Sequence, residues 1–508
     1  MSVVKSKIVL FLLLLLVSST AAAEDFLMGC RRGTPRPATP LHRSELSGAQ
    51  CGGDFYKGTR HQLVVLAAFK DRSFSGDEAE TLQQWDKIFN TINLSESPFR
   101  GSVHDYFYAQ SYGQFEVIFD LQYVEVSDSC KKYRSTLDDD EYSQYLVDDA
   151  LDVLLTRDID WSLYDWNGDG EVDQLLFVYA GKGSSYGGFG GDKNSIWPHQ
   201  WRLSEHLDLT TTDPNDHRDA RQFEWNGKTY TVDVYCAVQE IGYKGGYESF
   251  GILCHEYTHC FGFPDFYYGS TKFVGYWDLM DYGNMGDSGF CPTGYSAHER
   301  WLMGWLTPIE LTEPATITDM PSLSDEPRAY LIRNDDYPNE YYIVENRQPS
   351  GFDAKVPGAG VVVFHIDYDE ALWTSYTMPV NTPNLQHYVI FPANNKTGSS
   401  YASGWAYPYG DNNCLTDTSK PAAELWHARS DNLCVMSKPL TNIAVDSCGL
   451  ASFVFMDDPS ALQAVRRNAA QEQGRELLRW YDLQGRQLPG RPEGKGLYVV
   501  DGQKVIVR

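Results

Sequence analysis

Residues 251–265 read G-I-L-C-H-E-Y-T-H-C-F-G-F-P-D, and the reading of the whole chain turns on them. On a helix His255 and His259 lie four residues apart, so their imidazoles share one face and can grip one metal ion. Glu256 stands beside that face, where it can hold a water on the metal and take its proton. Gly262 permits a sharp turn after the helix. That turn can return Asp265 to the metal as a third ligand, leaving a fourth zinc position open. Tyr268, Glu240 and Asp278 are the alternatives for that third place. A bare H-E-x-x-H also occurs by chance on ordinary amphipathic helices; the glycine and the acid at these offsets weigh against chance.

Downstream, residues 276–283 read Y-W-D-L-M-D-Y-G. Met280 in a tight turn below a zinc site supplies a soft apolar floor. Tyr282, two residues on, is placed to donate to a developing oxyanion. Upstream, residues 165–173 read D-W-N-G-D-G-E-V-D. Oxygen side chains at alternate positions around Gly170 resemble the first half of an EF-hand loop. The expected structural calcium ligands are Asp165, Asn167, Asp169 and Asp173, with Glu171 through its carbonyl. The glycine-rich run 181–191 lacks a phosphate-loop ending and reads as a rim loop. His199, alone outside the motif, reads as structural, and so does the pair His365 and Asp367 on one strand face.

Strands are expected over 61–70, 115–126 and 174–180, and helices over 78–92, from about 101, over 142–157 and over 293–305. That alternation is an α/β pattern. Ser102 is the expected N-cap of the second helix. Past Pro308 the pattern changes to short strands, clearest at 341–346, 360–367 and 452–456, which reads as an all-β sandwich.

The chain resembles secreted bacterial metalloproteases of the immune inhibitor A type over residues 59–457. The resemblance is carried by G-S-V-H-D-Y-F from Gly101, S-Y-G-Q-F from Ser111, I-W-P-H-Q-W from Ile196, M-G-W-L-T-P from Met303 and V-E-N-R-Q from Val344, with the three motifs above. It implies a zinc-dependent endopeptidase with a metzincin-like α/β or α+β domain at 59–308, followed by the sandwich at 309–457. His255 and His259 are the implied ligands and Glu256 the implied base, with calcium bound elsewhere. Thr258 and Cys260 depart from many relatives without touching a proposed ligand. The substrates implied are proteins or peptides. Two rival readings are an idle surface protein that binds through the sandwich, and a zinc hydrolase of non-peptide amides; an intact Glu256 speaks against the first.

The 508-residue chain carries a net charge of −27, which argues against a nucleic-acid partner. With 13 Trp and 33 Tyr it is rich in strand formers. Residues 1–23 read as a signal peptide, with Lys5 and Lys7 before an apolar run and a small-residue cleavage site. No other stretch is long and apolar enough to span a membrane. Residues 24–58 read as a pro-segment, in which Cys30 and Cys51 pair with each other or one of them latches the zinc. Ten cysteines in an exported chain imply disulfides, and Cys414, Cys434 and Cys448 could supply one. Residues 458–508 read as a charged linker and a short β-rich tail. The tail resembles the sorting tails of exported Bacteroidetes proteins, which implies a secreted or cell-surface location.

Overall fold

The computed structural model describes residues 54–135, 142–185, 191–213, 216–242, 246–248, 250–374 and 378–456, together with three tail strands. The expected signal peptide, the expected pro-segment as far as residue 53 with Cys30 and Cys51, and the expected linker lie outside the described residues.

The first strands and helices among the described residues are β1 (Gly58–Phe69), α1 (Glu78–Asn90), α2 (Val103–Gln110), β2 (Phe115–Val126) and α3 (Gln144–Leu154). Next come β3 (Glu171–Val172), β4 (Leu175–Lys182), β5 (His199–Arg202), β6 (Arg221–Trp225), β7 (Lys228–Val232) and β8 (Val234–Ile241). Helix α4 (Phe250–Cys260) carries the two-histidine motif, and α5 (Ala297–Leu302) closes this part. The sheet order is β2-β1-β4-β8-β5, parallel throughout except that β5 runs against β8. Residues 63–69 of β1 are buried on both faces. An unbroken apolar run is what a covered parallel strand requires. Helix α2 begins where Ser102 accepts from the Asp105 amide while the Asp105 carboxylate accepts from Ser102, a reciprocal cap.

Helix α5 starts four residues later than the sequence suggests. Gly294 is pressed against its surroundings, since a Cβ there would meet Gln110 Oε1 at 2.7 Å. Ser296 then caps the helix with Glu299 as its reciprocal partner.

Beyond α5 lie β9 (Ile309–Glu310), β10 (Ala315–Met320), β11 (Tyr330–Arg333), β12 (Glu340–Arg347), β13 (Gly360–Asp367) and the short helix α6 (Glu370–Trp373). They are followed by β14 (Asn381–Thr382), β15 (Leu385–Gln386), β16 (Tyr388–Ile390), β17 (Leu440–Val445) and β18 (Ala451–Phe455). One sheet has the order β16-β13-β12-β11-β9 and another β10-β18-β17. Side chains alternate across a strand, and here both faces are used. Tyr341, Ile343, Val362, Phe364 and Ile366 join the core of the first part of the chain. Tyr342, Val344, Val361 and Val363 join a second core with Phe453 and Phe455 of β18. Each such side chain contributes roughly 1.5–3 kcal/mol on burial, so this sheet is a wall shared by two cores. In the tail, β19 (Trp480–Tyr481), β20 (Gly496–Val500) and β21 (Gln503–Val507) pair antiparallel.

All eight described cysteines are free thiols. The bridge expected among Cys414, Cys434 and Cys448 is not formed; the last two are exposed. Among the described residues no helix is long and apolar enough to cross a membrane.

Candidate metal centre

Helix α4 is buried along its whole length. Gly251 makes this possible on one side, because a Cβ there would lie 2.1 Å from the Asn284 carbonyl oxygen. His255 and His259 project from one face, their ring centres 4.8 Å apart. The chain leaves the helix through Gly262, whose φ of 89° suits glycine. It then brings Asp265 back so that Oδ1 lies 3.1 Å from His255 Nε2 and 3.4 Å from His259 Nε2. These three ligand atoms all lie within 4.8 Å of one another, close enough to hold one metal ion.

The tautomers follow from the other ring nitrogens. His255 Nδ1 lies 3.0 Å from the Leu279 carbonyl and His259 Nδ1 lies 2.7 Å from the Phe263 carbonyl. A carbonyl only accepts, so each Nδ1 carries the proton and each Nε2 turns a lone pair toward Asp265. Both oxygens of Asp265 are buried without a hydrogen-bond donor. Three acceptors converging in a dry site repel one another unless a cation sits among them. Two neutral imidazoles and one carboxylate are the donor set that suits zinc.

Two of the alternatives for the third place, Glu240 and Asp278, are engaged elsewhere. Glu240 accepts from the Ser75 and Gly181 amides. Asp278 accepts from the Met280 amide and the Tyr388 hydroxyl. Tyr268 closes a backbone turn with Thr271. Met280 is fully buried, and its carbonyl accepts from the Phe266 amide beside Asp265. The same turn thus holds His255 through Leu279 and the Asp265 segment through Met280. Glu256 is buried next to His255. Tyr282 is buried against Tyr267, and the Tyr267 ring stacks on His255 at 6.5 Å.

The loop at 165–173 folds tightly on itself. Asp165 accepts from the Gly168 and Gly170 amides and from Lys228 Nζ at 2.6 Å. Asn167 and Asp169 bond each other, Asp169 accepts from the Glu171 amide, and Asp173 accepts from the Trp166 amide. Two side chains singled out above are structural here. His199 spans the Trp197 carbonyl and the Tyr235 hydroxyl, and His365 faces Glu340 at 2.8 Å.

Several residues that support the centre went unread in the sequence. Asn381 donates to the Phe266 carbonyl at 2.9 Å, Tyr388 stacks on Phe266 at 4.0 Å, and Tyr267 covers His255. Tyr267 had a local signal, two residues past Asp265; the other two come from more than a hundred residues away and had none.

A buried His-His-carboxylate set on an H-E-x-x-H helix defines a metallopeptidase type of centre. Residues 72–304 match the family described as immune inhibitor A peptidase M6, catalytic domain. It is 29% identical over 176 residues to Immune inhibitor A of Bacillus thuringiensis subsp. alesti, a match covering 30% of this chain and 24% of that relative. It is 29% identical over 185 residues to the pre-pro-metalloprotease PrtV of Vibrio cholerae serotype O1, covering 32% of this chain and 19% of the relative. The matches therefore span a quarter or less of the length of these relatives.

Proposed function

We propose that this protein is an exported zinc endopeptidase that hydrolyses peptide bonds in proteins. The observation that supports it most is the convergence of His255 Nε2, His259 Nε2 and the Asp265 carboxylate in a buried site that calls for a cation. These three residues would hold zinc, which when bound polarises the substrate carbonyl and makes the attacking water more acidic. Glu256 takes the proton from that water and passes it to the leaving amine. The Leu279 and Phe263 carbonyls keep both imidazoles in the correct tautomer and orientation. Tyr282 supplies a donor to the developing oxyanion. The 165–173 loop binds calcium as a structural ion, with Asp165 exchanging the Lys228 ammonium for it. The signal peptide and tail direct the chain out of the cell.

The test is Glu256→Ala. It should keep zinc and its circular dichroism spectrum while casein hydrolysis falls by ~10²–10⁴-fold, the range for loss of a general base. Wild-type hydrolysis by that variant would overturn the mechanism.

A further inference from the structure

Two fully buried carboxyl groups face each other within hydrogen-bonding reach beside the turn that holds His255: Asp278 on that turn and Glu299 on α5. Asp278 Oδ1 accepts from the Met280 amide at 2.8 Å. Between these two residues, the Leu279 carbonyl accepts from His255. The Met280 carbonyl accepts from the Phe266 amide, next to Asp265. Tyr388, stacked on Phe266, reaches the acid pair from β16. The pair thus sits at a joint between α5, β16 and the turn under the metal ligands.

Tyr388 Oη lies 2.8 Å from Asp278 Oδ2 and also 2.8 Å from Ser296 Oγ, and Ser296 Oγ lies 3.0 Å from Glu299 Oε2. These three oxygen–oxygen contacts need three hydrogens, and the two hydroxyls supply two. The third has to come from a carboxyl. Asp278 receives a donor on each oxygen, whereas Glu299 Oε1 receives none, so Glu299 is the seat of the proton. Ionising both acids would set two like charges in a dry site. The nearby guanidiniums do not neutralise them. Arg347 is engaged by Glu345 and Asp353, and Arg300 by the Tyr295 and Leu323 carbonyls and Gln110. The other titratable groups facing the pair are Asp281 on its turn, Glu345 of β12, Tyr106 of α2, Tyr295, and His298 of α5, which lies against the Tyr388 ring. Burial, and after it the charge of Asp278, hold the Glu299 carboxyl well above its ordinary range.

We infer that Glu299 is a positioning residue kept as the neutral acid, and that the proton it shares with Asp278 keeps the 276–283 turn aiming His255 at the metal. This rests on the zinc reading above. With the proton in place, α5 and the turn are joined by a hydrogen-bonded acid pair. Without it, two carboxylates repel each other across that joint, and the repulsion acts on the turn that carries Leu279, the partner of His255.

The test uses the full-length chain with zinc bound. Infrared difference spectra at neutral pH should show the carbonyl band of a neutral carboxyl in the wild type that Glu299→Gln removes. Glu299→Gln replaces the O–H donor by an N–H donor and should keep the wild-type zinc affinity in competition with a chelating dye. Glu299→Ala removes the donor and should lower that affinity about tenfold, the lower end for a lost support of a metal ligand. The pH dependence separates a held proton from plain packing. Glu299 binds its proton more tightly in the folded chain than in the unfolded one, so its contribution is complete in acid, below the ordinary glutamate range, and fades as pH rises. Urea midpoints of the wild type should therefore decline with rising pH more steeply than those of Glu299→Gln. Absence of a neutral-carboxyl band that Glu299→Gln removes overturns the inference, and so do Glu299→Ala and Glu299→Gln proteins that bind zinc alike. If Glu299→Ala does not fold, the band and the slope against pH decide the matter. A wild-type chain that shows the band but binds no zinc sinks the zinc reading, and the claim that the acid positions a ligand goes with it.

Discussion

Asn381→Ala probes the metal centre from a distance. Asn381 is fully buried and uses its whole amide: it donates to the Phe266 and Tyr388 carbonyls and accepts from the His387 and Tyr388 amides, all at 2.9–3.0 Å. Truncation leaves two carbonyls and two amides buried without these partners. At the low end of the penalty, about 1 kcal/mol for each group, the loss of stability is about 4 kcal/mol. Three of those groups belong to His387 and Tyr388, just past the hairpin, but the Phe266 carbonyl belongs to the turn that presents Asp265. Freed there, the carboxylate is less well aimed, and zinc affinity should fall by about tenfold, the lower end for loss of a group supporting a metal ligand. Urea unfolding of the metal-free protein gives the first quantity, and competition for zinc against a chelating dye gives the second. A variant that loses the stability but binds zinc as wild type does would refute the idea that the hairpin positions Asp265.

Other substitutions test other parts. Asp265→Ala should abolish stoichiometric zinc binding, while Tyr268→Phe should leave it intact; the reverse pattern in metal analysis would move the third ligand. Calcium should raise the melting temperature of the wild-type protein, since an ion bound only by the folded state stabilises by mass action. The pair Asp165→Ala with Asp169→Ala should remove that rise, and a wild-type protein indifferent to calcium would retire the loop as a site. Burial alone raises the Asp367 carboxyl, but hydrogen bonds from His387 and His427 outweigh it and hold it below the ordinary range. The unfolded chain then binds the proton more readily, so this contribution is complete above about pH 4 and fades as pH falls further. Asp367→Asn should flatten the acid limb of stability against pH, read by urea midpoints, and an unaltered limb would count against the pairing.

What the sequence disclosed was whatever lay within a few residues. His255, His259, Gly262 and Asp265 were legible because helical spacing and one glycine settle their geometry locally. β2 was legible from end to end because Phe115–Val126 is bounded by a turn and carries the right residue types. The β6–β7 hairpin was missed although Asn226-Gly227, both with positive φ, is a strong two-residue turn signal between strand-forming residues. The double-sided burial of β12 and β13 was hidden in their unbroken apolar runs. Such runs announce burial without saying against what. The Asn381 and Tyr388 supports were out of reach, because only the folded chain brings them to Phe266.

Those two supports also set an order of events during synthesis. Asp265 leaves the ribosome well before Asn381 and Tyr388 exist, so the turn presenting it has neither its hydrogen-bond clamp nor its stacking partner when α4 is first made. The centre gains its final geometry only after the second half of the chain has emerged and docked its hairpin. A nascent or truncated chain thus carries the complete H-E-x-x-H motif without a finished site. On the endopeptidase reading proposed above, such a delay spares the cell that makes it.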